Sequence, residues 1–196
     1  MAYTDAATLK TYLGVSAATD DTLLTALIAR AQAAIDVYTG RTFEAAADST
    51  RYFTVGRDTL GRMLYFDQDL AAITTVVTNA DDGSGGDSLA TTDYITHPRN
   101  RTPYHSIEIV SSSAYDWTYT LDPTGGITVA GKWAYSTSAP NDIVHACVRL
   151  AAYYYRQKDA GVFDTTAIPD IGIIQIPQGM PRDVQLILNP YVRASI

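Results

Sequence analysis

The longest regular stripe of apolar positions runs through Asp20–Gly40, DDTLLTALIARAQAAIDVYTG, where Leu24, Leu27, Ile28, Ala31, Ile35 and Tyr38 recur every three or four residues. That period puts them on one side of a helix. Thr19 or Asp20 stands where a short side-chain oxygen can accept an unpartnered N–H of the first turn. Gly40 follows the last periodic residue, where a left-handed closing residue costs glycine least. A single helix with one apolar face is marginal in water, so this one must lie against other elements. A shorter stripe, Leu9, Tyr12 and Leu13, predicts a helix over Thr4–Leu13, opened by Thr4 or Asp5 and ended by Gly14.

After Gly40 the period changes to alternation. Arg51–Val55, Met63–Phe66 and Ile73–Thr78 read as strands, the last two separated by turn-like Asp67–Gln68–Asp69. Asp81–Asp87, DDGSGGD, reads as a hairpin tip or loop. Tyr94–Thr96 predicts a short strand and His97–Pro103 a turn; Ser106–Val110, Trp117–Leu121 and Gly126–Tyr135 add strands, with Asp122–Gly125 turning between the last two. Short strands at hairpin spacing predict an antiparallel sandwich or small barrel.

Helical spacing returns after Pro140. Ile143, Ala146, Cys147, Leu150, Ala151 and Tyr154 form the inner face of a helix from Asn141 to near Lys158. Residues 162–179 read as a linker with an apolar patch, Ile171–Ile176, between Pro169 and Pro177: an extended arm or an edge strand. Pro181 and Asp183 open a last helix through Leu188, which Pro190 ends. The predicted class is α+β: a small helical bundle formed by both chain ends (1–45 and 138–196), with an inserted antiparallel β domain (46–137).

Charge narrows the partners. The 196 residues carry a net charge of −7, and residues 41–140 hold 12 acidic against 7 basic side chains. Duplex binding is driven by Lys and Arg displacing counterions, so tight DNA binding by this chain alone is not expected. The single cysteine, Cys147, excludes an intrachain disulfide and suits a reducing compartment. No basic, apolar leader pattern and no apolar run of membrane-spanning length occurs, so a protein made and used in soluble form is expected.

Candidate chemistry is sparse. His145 and Cys147 are two apart on a helix and point to different faces, so they make no nucleophile–base pair. His97 and His105 lack metal-ligand spacing, the Asp81–Asp87 acids lack the order and closing Glu of a calcium loop, and no phosphate-cradling glycine motif follows a strand. No catalytic, cofactor or metal site is expected, and hence no enzyme. The fourteen tyrosines are the compositional oddity. Tyr153, Tyr154 and Tyr155 straddle a helix, so at least one points outward or to a partner. In the β region Trp117 and Tyr119 share one strand face and Trp133 and Tyr135 another. Such a face is either core or, with Tyr115, a stacking platform of a carbohydrate- or protein-binding module.

Five segments, in order, carry a resemblance: LKTYLG (9–14), DDTLLTALIARAQAAIDVYTGRTF (20–43), ITVAGKWAY (127–135), P-x-DI-x-x-A (140–146) and MPRDVQLILNPYVR (180–193). Together they resemble the head–tail connector (adaptor, or head-completion) proteins of tailed bacteriophages. The resemblance implies a virion neck protein, made in the bacterial cytoplasm, that forms a twelve-copy ring beneath the portal. Its partners would be the portal protein, further copies of itself and the next neck (stopper) or tail protein, with duplex DNA passing through the lumen without specific binding and no membrane involved. The portal-docking tail would be Asn189, Pro190, Tyr191, Val192, Arg193 and Ile196, taken as able to order on docking, so that deleting Tyr191–Ile196 should spare the fold. Contacts to other subunits or neck proteins would include Tyr153, Tyr154, Tyr155, Arg99, Arg101, Ile173 and Ile174.

Overall fold

The computed structural model describes residues 2–16, 19–160, 166–168, 172–174 and 179–193. Helices stand at both ends and antiparallel sheets between them, an α+β architecture in which the described strands form open sheets and no closed barrel. The chain divides into two compact units, a helical one of Ala2–Arg41 with Pro140–Ile196 and a β one of Thr42–Ala139.

In the helical unit, α1 (Ala6–Leu13) is capped by Asp5, whose carboxylate accepts the Thr8 N–H at 2.7 Å, and it closes on Gly14 at φ 73°. Leu9 is its one buried side chain, whereas Tyr12, expected on the inner face, is exposed. In α2 (Asp21–Thr39) the buried positions are Leu24, Ile28, Ala31, Ile35 and Thr39. Steps of three and four residues carry the stripe to Thr39 rather than Tyr38, and the Thr39 hydroxyl is satisfied by the Ile35 carbonyl at 2.8 Å. Asp20 occupies the N-cap position but caps nothing with its side chain. Its carboxylate instead accepts the Tyr155 hydroxyl at 2.5 Å and the Lys158 ammonium at 3.0 Å.

Helix α3 (Asn141–Ala160) packs against α1, α2 and α4 (Arg182–Leu188). It buries Ile143, Ala146, Cys147, Val148, Leu150, Ala151 and Ala152, a wider band than the sequence suggests, and Tyr154 is only half-buried. The wider band follows from having neighbours on several sides. Helix α4 ends at Leu188, as expected, but the chain does not leave helical geometry at Pro190. A 3₁₀ turn, Asn189–Tyr191, continues from α4 with Pro190 in its first turn, where a missing N–H breaks no bond. Between α3 and α4, β9 (Thr166–Ile168) and β10 (Gly172–Ile174) pair antiparallel as a two-stranded sheet.

The β unit holds two four-stranded antiparallel sheets. One has the order β1 (Ser49–Phe53), β8 (Ile127–Lys132), β4 (Ala72–Thr78), β5 (Asp87–Ser88). The other has β2 (Thr59–Leu60), β3 (Met63–Leu70), β7 (Tyr104–Ile109), β6 (Tyr94–His97). Two expectations fail here. Asp67–Gln68–Asp69 is no turn but part of β3, within the irregularity between Tyr65 and Leu70 where the register against β7 shifts, and the chain corners at Ala71, whose N–H bonds the Lys132 carbonyl at 2.8 Å. Trp117–Leu121 is no strand. It is held irregularly, the Asn79 N–H bonding the Thr118 carbonyl at 2.9 Å and the Thr78 hydroxyl the Asp116 carbonyl at 2.8 Å.

Phe53, Phe66, Trp117 and Trp133 fill the β core with aliphatic side chains from both sheets. Gly131 of β8 permits a close approach, since a Cβ there would lie 2.1 Å from the Ala72 carbonyl oxygen. The Asp81–Asp87 loop is tied down, with the Gly83 N–H on the Gly125 carbonyl at 3.0 Å.

Candidate functional site

The motifs that carry the resemblance meet in the helical unit. Three consecutive bonds join the YTGR end of α2 to the segment after α4. Tyr38 donates its hydroxyl to Asn189 Oδ1 at 2.6 Å, the Arg193 N–H bonds the Thr39 carbonyl at 2.8 Å, and Arg41 Nε donates to the Tyr191 carbonyl at 2.7 Å. Tyr191 in turn donates to Asp142 Oδ2 at 3.3 Å, and Arg149 of α3 pairs with Asp183 of α4. Asn189–Arg193 is therefore a folded clasp on α2 and α3, not a tail awaiting order, and deletion from Tyr191 would cut into the fold. Ile196 lies outside the described residues. Val192 of the clasp and Leu186 of α4 remain exposed. Sequence reasoning singled out the C-terminal half of this clasp and missed Tyr38, Thr39 and Arg41, although the YTGR signal was in view.

The tyrosine triplet is also partnered within the unit. Tyr155 bonds Asp20, and the Lys158 ammonium lies 4.1 Å from its ring centre. The Arg30 guanidinium lies 4.6 Å from the Tyr154 ring centre. Burial pushes the Tyr154 phenol up, with Arg30 opposing it. Tyr153 lines a shallow groove with Tyr12, Arg149, Arg156 and Asp183.

In the β unit the tryptophans are core, not a platform. Trp133 meets Phe66 edge-on at 5.2 Å and donates its indole N–H to the Ser49 carbonyl at 3.0 Å. Trp117 donates to the Arg62 carbonyl at 2.7 Å. Buried indoles with satisfied N–H groups offer no stacking face to a glycan; Tyr115 and Tyr119 are exposed. Arg99 and Arg101 are exposed on the turn after β6, and Arg99 borders a cleft lined also by Ile73, Tyr94, Ile95 and Tyr104. Ile173 and Ile174 belong to β10, paired with Ala167 and Thr166 of β9.

Little of this arrangement suits chemistry. Cys147 is buried with its sulfur against the Ile28 carbonyl, and burial with the nearby Asp36 carboxylate pushes its thiol up to about 12. A thiol so shifted is not a nucleophile near neutral pH. Asp36 is itself raised by burial, partly offset by the Tyr3 hydroxyl bonded to it at 2.5 Å. Among the described residues no group of three or more His, Cys, Asp or Glu side chains could hold a metal ion, and no helix is long and apolar enough to cross a membrane.

Both chain ends build the helical unit, clasped through α2 and the segment after α4, and the chain between them builds the β unit. The family model described as Head completion protein matches residues 3–194, and the chain belongs to that family. No curated protein sequence matches. Among solved structures the fold is similar to a chain in the neck of an empty GTA particle computed with C6 symmetry (TM-score 0.59, 16% identity, covering 97% of this chain and 89% of that one). It is also similar to chains in the neck of a native GTA particle computed with C12 symmetry (0.58, 17%, 97% and 88%) and in the virion of a native gene transfer agent particle (0.60, 18%, 97% and 89%).

Proposed function

We propose that this head completion protein is a virion neck subunit that assembles as a twelve-copy ring at the head–tail interface. The ring sits under the portal protein, extends the DNA conduit and presents the attachment surface for the next neck (stopper) or tail protein. The observation that carries this reading is the family match over residues 3–194, joined to a fold shared with chains of particle necks computed with sixfold and twelvefold symmetry. The protein is made in the bacterial cytoplasm and acts by assembly, with no chemical step. Duplex DNA passes through the lumen unbound, which a net charge of −7 supports because a conduit wall must not hold phosphate.

The helical unit, 1–45 with 138–196 in functional terms, is the portal-facing part. Its docking surface is the outer side of the clasp, Asn189, Pro190, Tyr191, Val192 and Arg193, together with the residues that follow to Ile196. The insert, 46–137, meets neighbouring copies. Cosedimentation tests the reading: full-length protein should pellet with DNA-filled capsids that carry a portal vertex and not with portal-free shells. Equal binding to both would overturn it.

A further inference from the structure

The two sheets of the β unit are open on opposite sides. One side is bounded by β1, the last strand of its sheet, and by β3, which β2 covers only at Met63 and Leu64. The other is bounded by β6 and by the Ala72–Thr75 part of β4, since β5 joins β4 only at Val77 and Thr78. Among the described residues no further strand pairs with any of these four edges. Unpaired edges are where a second chain is readily added.

The two sides differ, and they match. On the β1–β3 side Leu64 and Phe66 of β3 are buried in the core, so Tyr65 and Asp67 share its outer face. Both are exposed, the Asp67 side chain by 72%, and the Asp67 carboxylate pairs only loosely with Arg51, at 3.5 Å. On the β4–β6 side lies a cleft of about 470 Å³, lined by Ala72 and Ile73 of β4, by Tyr94, Ile95 and Thr96 of β6, and by Tyr104. Arg99 stands at its border, exposed and without an ion pair among the described residues. A lining of mixed polarity suits a phenol, whose body is apolar and whose tip is polar. An exposed tyrosine beside a carboxylate on one side therefore answers a tyrosine-sized cleft beside an unpaired guanidinium on the other. Unlike surfaces on opposite sides give a head-to-tail contact, and repeating it closes a ring.

We infer that Tyr65 of one copy inserts into the β4–β6 cleft of the next copy, with Asp67 against Arg99, so that one open side of each β unit meets the opposite open side of its neighbour. This inference rests on the ring proposed above and names its contact. The test uses full-length chains on portal-bearing capsids. One population carries Gln68→Cys and a differently tagged one Asn100→Cys, both exposed positions next to the paired charges. A short bis-maleimide then bridges neighbouring thiols, since the native Cys147 is buried. Crosslinked product joining the two tags is expected, and Asn100→Cys in both populations should give none. Tyr65→Ala should lower the yield about tenfold, the weight of an interface anchor, with Tm little changed because the side chain is exposed in the free chain. Arg99→Asp should lower it about threefold, the weight of an exposed ion pair, and Asp67→Arg in the neighbouring copy should restore it. Rings visible by electron microscopy without the inter-tag crosslink would overturn the contact and leave the neck function standing. Product from Asn100→Cys in both populations would make the contact symmetric and overturn it equally. Absence of rings and crosslinks would overturn both.

Discussion

The two units bury aromatic side chains in opposite ways. In the β unit, Phe53, Phe66, Trp117 and Trp133 are the core itself, and the indole N–H groups are satisfied by backbone carbonyls. In the helical unit the core is aliphatic and small: Leu9, Leu24, Ile28, Ala31, Ile35, Ile143, Leu150 and Leu188. There tyrosines, Tyr3 buried and the others nearer the surface, tie distant segments together: Tyr3 to Asp36, Tyr38 to Asn189, Tyr155 to Asp20, Tyr191 to Asp142. Four of the fourteen tyrosines serve this purpose. A rigid ring with a polar tip can anchor a chain end to a helix where a wholly apolar residue would leave that end free.

Breaking the β side of this contrast should have the largest effect. Trp133→Ala removes a side chain packed on Phe53 and Phe66, and a loss of about 3–5 kcal/mol in urea unfolding is expected. Next comes the clasp. Truncation after Asn189 removes the partners of Thr39, Arg41 and Asp142 and should cost about 1–3 kcal/mol. Truncation after Arg193 keeps those bonds, so Tm should be unchanged while capsid binding is lost; unimpaired binding would separate the docking surface from the last three residues. Tyr3→Phe removes one bond to a half-buried carboxylate and should cost about 1–2 kcal/mol by the same measurement.

The smallest effect concerns pH. Burial raises Asp36 above its ordinary value of 3.8, with the Tyr3 bond offsetting part of the shift. A carboxyl group raised on folding contributes stability that is full below its unfolded value and fades as pH rises through its folded value. Asp36→Asn should therefore gain on the wild type as pH climbs above about 4, a difference read from paired unfolding curves. A gap independent of pH would mean that Asp36 titrates normally.

Much of the helical unit was legible because its signals are local. The period of three and four residues located α2 and α3, and Gly14 and Gly40 closed their helices at positive φ as glycines in that place do. What escaped depends on partners distant in sequence. Asp20 looks like a cap until Tyr155 and Lys158 are seen to claim its carboxylate. Asp67–Asp69 has turn composition, yet it stays within β3 between two pairs to β7, Tyr65 with Ser106 and Leu70 with Tyr104. Trp117–Leu121 alternates like a strand, but its backbone bonds go to Asn79 and Ala80 in an irregular pattern rather than to a ladder. Pro190 carries a local stop signal that a following 3₁₀ turn accommodates. The clasp was half legible: both of its motifs stand out in the sequence, but that they bond each other is a tertiary fact.

The neck role is tested most directly by electron microscopy of DNA-filled, portal-bearing capsids incubated with the full-length protein. Averages of the portal vertex should gain a twelvefold ring of density beneath the portal, absent without the protein. A vertex left unchanged, with the added chains elsewhere on the shell or free in solution, would contradict the account.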